Sequence, residues 1–318
     1  MQFRREAHGA HPGRLKATLL AAAMATSLVI TSASALPGRS QPVERARSMP
    51  DISGLAWIED DLFLAVNDGK PKPGQPDLPR VSLVRLPSSN LEGVTWQPLN
   101  LTPPAFEGPI RDLESISRLP RDQGFLLAES DGRIFHVVLR DGRLILKGYS
   151  RWPVPVENVE ATEVVQVGQQ LVFLYAERAD GVGETTLRWA PMSLNPLKFG
   201  AFREVPHKAI DPVGKNTRAI VALAADQDGV LYTASSYDPG VDGGPFRSVV
   251  WRIGKVTTDG GGQPLVVLSE PTRLGTLDGL KVESLAVRET PKEGKQLYIG
   301  TDDENYGGIL RLLPFPAR

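Results

Sequence analysis

Carboxylates recur at matching places in this sequence. Glu114, Glu160 and Glu283 each begin a short apolar run, while Asp68, Glu129 with Asp131, Glu177, and Asp302 with Asp303 each follow the end of the next such run. The fullest version is RDLESISRLPRDQGFLLAESD, from Arg111 to Asp131, and it is echoed at 53–68, 159–180, 219–238 and 282–304. Each copy reads as an acid, a small residue and an apolar pair, then a turn, then an apolar run ending in a small residue and polar or acidic ones. Carboxylates gathered in one place repel unless a cation or basic side chains compensate them. One compensator is Ca²⁺, which takes six to eight oxygen ligands of the kinds that Asp, Glu and Asn supply. The other is internal pairing with Arg111, Arg178, Arg218 and Lys281. Both remain open on the residues alone.

The elements that must position these groups are strands. From Asp51 onward, apolar residues come in runs of four to seven bounded by Gly, Pro, Asp and Asn, with hardly a window of helical periodicity. The runs group in fours. The first group is 53–58, 62–67, 81–86 and 94–101, the next three begin at Glu114, Glu160 and Ile220, and the last has three members, 282–287, 296–301 and 309–313. Repeats of this length with four strands each predict an all-β fold, a β-propeller. Five blades is the expected count, with six as the competitor. The missing strand of the last blade is expected from Val43 to Arg47, closing the ring and covering two free edges.

In such a blade the first two strands form a hairpin, so the start of one and the end of the other lie at the same channel mouth. Acids from four of five blades then converge there. The fourth repeat departs from the pattern with Val221, Ser235, Ser236 and Tyr237. His136 is expected as a packed or edge residue and His207 as a loop residue. Trp57, Trp96, Trp152, Trp189 and Trp251 are expected in packing between blades.

Composition narrows the chemistry. Of the 318 residues, 41% are hydrophobic and 23% charged, which suits a globular chain with a sizeable core. Residues 1–35 read as a signal peptide: Arg4, Arg5, Arg14 and Lys16 precede an apolar run from Ala17 to Ile30, and Ala33-Ser34-Ala35 offers the cleavage site. Cleavage after Ala35 predicts an exported protein, periplasmic or extracellular, with no stable membrane span. It removes those four bases and Glu6, taking the net charge from -1 to -4. A nucleic-acid partner would need a basic face, so none is expected. Residues 36–50 are a linker carrying the closing strand, and 51–318 form the propeller. With no cysteine, thiolate zinc sites and cysteine nucleophiles are excluded. No G-x-S-x-G elbow marks a serine nucleophile.

SGLAW with FLAVND, DLESIS with GFLLAESDG, and VESLAV with LYIGTDDENYGG resemble the phytase-like β-propeller domain and, more loosely, the SdiA-regulated propellers. Ser115 and Ser284 stand where those families carry Gly. The resemblance implies a calcium-dependent hydrolase of phosphate or related anionic esters. Asp112, Glu114, Glu160, Glu283, Asp302 and Asp303 would hold the metal, Arg111, Arg218 and Lys281 would meet a small anionic substrate, and a water activated by the metal would attack. The competing reading is a non-catalytic propeller that binds a ligand or partner, its acids serving as structural ion pairs.

Overall fold

The computed structural model describes residues 49–318 apart from 70–79, 88–92, 102–109, 153, 157, 179–182, 242, 303–306 and 314–318. The signal segment, the closing strand expected at 43–47 and Asp303 therefore lie outside the described residues.

Strands follow one another in five antiparallel sheets. The first contains β1 (Gly54–Glu59), β2 (Leu62–Val66), β3 (Val81–Arg85) and β4 (Thr95–Leu99). The second contains β5 (Leu113–Arg118), β6 (Phe125–Glu129), β7 (Arg133–Arg140) and β8 (Arg143–Arg151). The third has β9 (Val159–Val167), β10 (Gln170–Glu177) and β11 (Glu184–Leu194), the last paired on its outer edge with both β12 (Leu197–Phe199) and β13 (Arg203–Lys208). The fourth has β14 (Thr217–Ala225), β15 (Val230–Tyr237), β16 (Arg247–Thr258) and β17 (Pro264–Asp278). The fifth, among the described residues, has β18 (Val282–Thr290), β19 (Gly294–Thr301) and β20 (Leu310–Leu312).

The first strands meet in cyclic order, β1 with β5, β5 with β9, β9 with β14, β14 with β18, and β18 with β1. That circuit makes the fold an all-β, five-bladed propeller. At the seam, Ile52 N donates to Thr301 O (2.9 Å) and Gly308 N to Met49 O (2.9 Å), tying the chain before β1 to the fifth blade. The inner strands approach closely: a Cβ on Gly54 would fall 2.8 Å from both Ile116 N and Ser115 Cα.

Each gap between neighbouring blades carries its own apolar cluster. Phe125, Leu127 and Phe135 meet Leu64 and Val66 between the first and second blades. Leu126, Trp152, Phe173 and Tyr175 fill the next gap, where Trp152 packs edge-on against Phe173 and Tyr175 at 5.5 and 5.3 Å between centroids. Trp189 and Trp251 lie between the third and fourth blades, Leu277 and Leu285 between the fourth and fifth, and Phe63 and Tyr298 at the seam beside Trp57 and Trp96. Because alternate residues of a strand point to opposite faces, Leu126 and Leu127 serve different gaps. Burying a side chain of this size contributes about 1.5–3 kcal/mol relative to exposure, so these gaps hold the ring together.

Two outer strands differ from expectation. In the sequence the fourth group ends on the apolar run at 265–268, but the strand extends into β17, whose outer face is exposed, so its later half, SEPTRLGTLD, shows little apolar patterning. Pro271 looks like a strand end, yet an outermost strand tolerates proline where the ladder skips, and pairing jumps here from Gly254 with Leu268 to Arg252 with Thr272. His207 lies on β13 opposite Thr185 rather than in a loop. His136 is buried on β7, its Nε2 2.7 Å from Gln123 O.

Candidate functional site: an acidic channel mouth

One local device positions the key glutamates. In the second blade Leu113 pairs with Glu129 and Ser115 with Ala128, leaving Glu114 as the extra residue of a β-bulge. Glu160 stands in the same situation between Val159, opposite Glu177, and Ala161, opposite Ala176. So does Glu283, between Val282 opposite Thr301 and Ser284 opposite Gly300. A bulged residue has no cross-strand partner, and the local kink re-aims its side chain. All three aim into one cavity of about 250 Å³ at the channel mouth, which Asp68, Asp238 and Asp302 also line. The predicted convergence of Glu114, Glu160 and Glu283 is therefore present.

The mouth divides into two sides. On one, built from the last three blades, acids and bases interleave. Arg218 reaches Asp238 (2.6 Å), Glu283 (3.2 Å) and Glu160 (3.9 Å). Lys281 reaches Glu283 (2.9 Å), Asp302 (3.4 Å) and Asp238 (3.7 Å). Arg178 approaches Glu160 at 3.6 Å, and Asn158 Nδ2 donates to the same carboxylate at 3.2 Å. Burial works against both Arg218 and Lys281, yet Glu160, Glu283, Asp238 and Asp302 hold them above their ordinary pKa values. Burial also raises the carboxyl of Glu283, with Asp302 adding to the effect and Lys281 opposing it.

On the other side, from the first two blades, three carboxylates come together. Oxygens of Asp68, Asp112 and Glu114 lie within 4.8 Å of one another. Burial, then the charges of Glu160, Asp112, Glu283 and Asp68, push the Glu114 carboxyl well above the usual range. The supports are local: Ser130 Oγ donates to Asp112 Oδ2, Asp68 N donates to Ser53 Oγ (3.2 Å), and Arg80 Nη1 donates to Asp68 O (2.9 Å). Beneath them, Glu129 accepts from the backbone N–H groups of Arg111 (2.7 Å) and Asp112 (3.3 Å), and Arg133 Nη2 reaches it at 2.8 Å. Glu129 thus acts as a buried anchor that sets where Asp112 stands.

Other carboxylates from the repeats go elsewhere. Glu177 faces an outer groove and pairs with Arg188 at 2.7 Å, and Asp131 is exposed. Of the bases expected to meet a substrate, Arg218 and Lys281 line the mouth, and Arg111 is exposed and outside its lining. Asp238 is the acid that the repeat columns overlook. The fourth blade's irregularity sets three residues, 219–221, against the single Ser235, with Arg218 opposite Ser236 and Ala222 opposite Ala234, so two residues are extra and its acid comes one place after the Ser235-Ser236-Tyr237 triplet. Below the carboxylates the channel closes to a void of about 10 Å³ among Ser53, Ser115, Thr162 and Ser284, where Ser115 Oγ and Thr162 Oγ1 are 2.6 Å apart.

No family model matches the chain, and no curated protein matches it in sequence. Among solved structures it is similar to an α-L-arabinanase of Cellvibrio cellulosa, at 14% identity over 84% of this chain and 92% of that one, with a TM-score of 0.46. An exo-1,5-α-L-arabinanase from a bovine ruminal metagenomic library gives 11% identity over 85% and 95%, with a TM-score of 0.48. An α-L-arabinofuranosidase of Clostridium thermocellum gives 9% identity over 84% and 90%, with a TM-score of 0.46. The propeller assignment itself rests on the five sheets and their cyclic contacts. Among the described residues, no helix is long and apolar enough to cross a membrane.

Proposed function

We propose that the mouth binds a divalent cation, Ca²⁺ by its donor chemistry, and hydrolyses a small anionic ester there. The observation that carries this reading is the three-carboxylate cluster of Asp68, Asp112 and Glu114 within 4.8 Å, of which Asp68 and Glu114 line a cavity where acids outnumber Arg178, Arg218 and Lys281. Carboxylates of this kind are hard oxygen donors and fit Ca²⁺ better than softer metals. An anion entering such a mouth meets net repulsion unless a cation precedes it. Bound there, the cation would offset the three charges and polarise the ester oxygen.

The chain's own residues would do the rest. Ser130 and Glu129 hold Asp112 in place, and Arg178, with about a third of its side chain exposed, offers N–H donors to the substrate's outer oxygens. Arg218 and Lys281 fix Glu160 and Glu283 and keep that wall from collapsing onto the metal side. In keeping with the N-terminal segment, we place this activity outside the cytoplasm.

A second reading is favoured by Glu114. Every charge that bears on Glu114, and its burial, favour the protonated carboxyl, and beside Asp68 and Asp112 it would serve as a general acid without any metal. One protonated and one ionised carboxyl are the pair that cuts a glycosidic bond, so the substrate would then be a glycoside.

One experiment separates these readings. The purified chain is melted with Ca²⁺ and with excess chelator, then assayed on p-nitrophenyl phosphate, bis-p-nitrophenyl phosphate and p-nitrophenyl arabinofuranoside under both conditions. A calcium-dependent melting shift with phosphoester turnover, both lost in Glu114→Gln, supports the first reading. Chelator-resistant glycoside turnover supports the second. No shift and no turnover on any substrate leaves a non-catalytic propeller whose mouth is held by ion pairs.

A further inference from the structure

At the other end of the channel lies a larger cavity, of about 610 Å³, that the acidic mouth does not explain. The waist of serines and Thr162 separates the two ends, so whatever this cavity holds is bound independently. Leu55, Trp57, Ile116, Val165 and Val287 form the apolar part of its wall, Arg118, Arg121, Asp226 and Glu289 belong to its polar part, and Glu163 of β9 opens into it.

Glu163 is surrounded unlike the cavity's other charged groups. Its Oε1 accepts from Val164 N (2.7 Å) and its Oε2 from Ala225 N (3.2 Å). Among the described residues, no basic side chain pairs with it. Every packed element's charges are engaged elsewhere. Arg118 of β5 bonds Asp122 at 2.9 Å and stacks 5.2 Å from the Trp57 ring, and Arg121 reaches Gln169 at 3.3 Å. Lys295 of β19 satisfies Asp226 (2.9 Å) and Glu289 (3.6 Å). Burial, against the two backbone hydrogen bonds, lifts the Glu163 carboxyl to about 8. A carboxylate held away from most water with no basic partner is costly, so below that value the carboxyl keeps its proton.

We propose that this cavity is a second binding site, for a small organic cation with an apolar body, whose ammonium or guanidinium group meets Glu163 while its body lies on the wall formed by Trp57 and Val287. A guanidinium suits the planar carboxylate, donating two parallel hydrogen bonds. Arg118 with Asp122, and Lys295 with Asp226 and Glu289, already satisfy one another around the rim, and Arg121 is held by Gln169, which leaves Glu163 as the group that gains most from a cation. Binding would exchange the Glu163 proton for the ligand's charge.

Calorimetric titration of the full chain with benzylguanidinium, which stays charged across the range used, tests this. At pH 9 one equivalent is expected to bind, and affinity should fall about tenfold by pH 7, where only about a tenth of Glu163 is ionised in the free protein. At pH 7 binding should release close to one proton, read from heats in buffers of different ionisation enthalpy. Glu163→Gln should weaken binding at pH 9 at least tenfold and abolish the pH dependence, while Glu114→Gln, at the other mouth, should leave both unchanged. Neutral benzyl alcohol should not bind. Equal affinity in Glu163→Gln, loss of binding in Glu114→Gln, benzyl alcohol binding as tightly, or no binding at pH 9 would each overturn the proposal. The proton release is measured on the unmodified chain, so the test stands even if a variant does not fold. Failure here would leave the hydrolytic reading of the acidic mouth untouched.

Discussion

Glu114 and Glu283 occupy the same bulge in two different blades, yet their neighbours have opposite charge. Two residues before Glu283 the chain places Lys281, and the preceding blade contributes Arg218. Two residues before Glu114 it places Asp112, and the preceding blade contributes Asp68. At Glu160 the residue two before is neutral Asn158, which donates a hydrogen bond. Backbone geometry is thus shared, and the residue two places upstream decides whether a glutamate becomes a member of an ion-pair network or part of a cation trap. A buried network of the first kind fixes structure, while a cluster of the second kind is held at a cost that a ligand can relieve.

The largest effect should come from the paired side. Lys281→Met leaves Asp238, Glu283 and Asp302 without their shared ammonium, and removing one partner of a buried pair typically costs about 3–5 kcal/mol. Urea unfolding that shows less than about 1 kcal/mol of loss would erase the contrast between the two sides.

Glu163, at the far end, supplies a carboxyl with neither kind of neighbour. Its folded value of about 8 lies above the ordinary 4.5, so the native chain binds an extra proton between those values and stability falls as pH rises through that window. Glu163→Gln should remove roughly 2–4 kcal/mol of the stability lost between pH 5 and pH 9, since every tenfold gain in proton affinity on folding corresponds to about 1.4 kcal/mol. Parallel pH profiles for the two chains would show that Glu163 does not titrate this way.

The acid side should respond to metal. Calcium at about 100 times its dissociation constant should add about 2.7 kcal/mol of stability. Asp68→Asn should abolish that gain and Asp302→Asn should preserve it. The reverse pattern would put the cation on the wrong side of the mouth. Without metal, Glu114→Gln should raise stability by about 1 kcal/mol, because it removes a carboxyl whose ionisation burial and four carboxylates oppose. Smallest of all, Lys208→Ala breaks an exposed pair with Glu184 and should change stability by about 0.5 kcal/mol or less, the baseline for the other variants.

Much of this architecture is readable from the chain because a repeat aligns itself. Five apolar hairpins with acids at fixed offsets place Glu114, Glu160 and Glu283 together without any knowledge of packing. Asp68 and Asp302 follow from the same columns. The offset fails at Asp238, where two extra residues rather than one interrupt the ladder and move the acid one place beyond the column. It fails differently at Glu177 and Glu129. Both stand at the right offset, but Arg188 and Arg133, placed by the third strands of their blades, draw them away from the cavity. Pairing across strands depends on register, which apolar patterning fixes only to the nearest face. Glu163 carries a signal of its own, a second glutamate three places after Glu160 in the largely buried strand VEATEVVQV. Its meaning appears only once the channel's second end is seen.

The bulge that carries Glu114, Glu160 and Glu283 makes no cross-strand pair, so its side chain is the one part of the inner hairpin that the ladder does not dictate. Each of these three blades therefore offers a socket. Because the gaps between blades are packed by other residues, the occupants of these sockets can be exchanged while the ring stays intact. Histidine at all three would turn an oxygen-lined mouth into a nitrogen-lined one suited to zinc or copper. In that sense the propeller separates its scaffold from its reagents: inheritance can rewrite the chemistry one blade at a time.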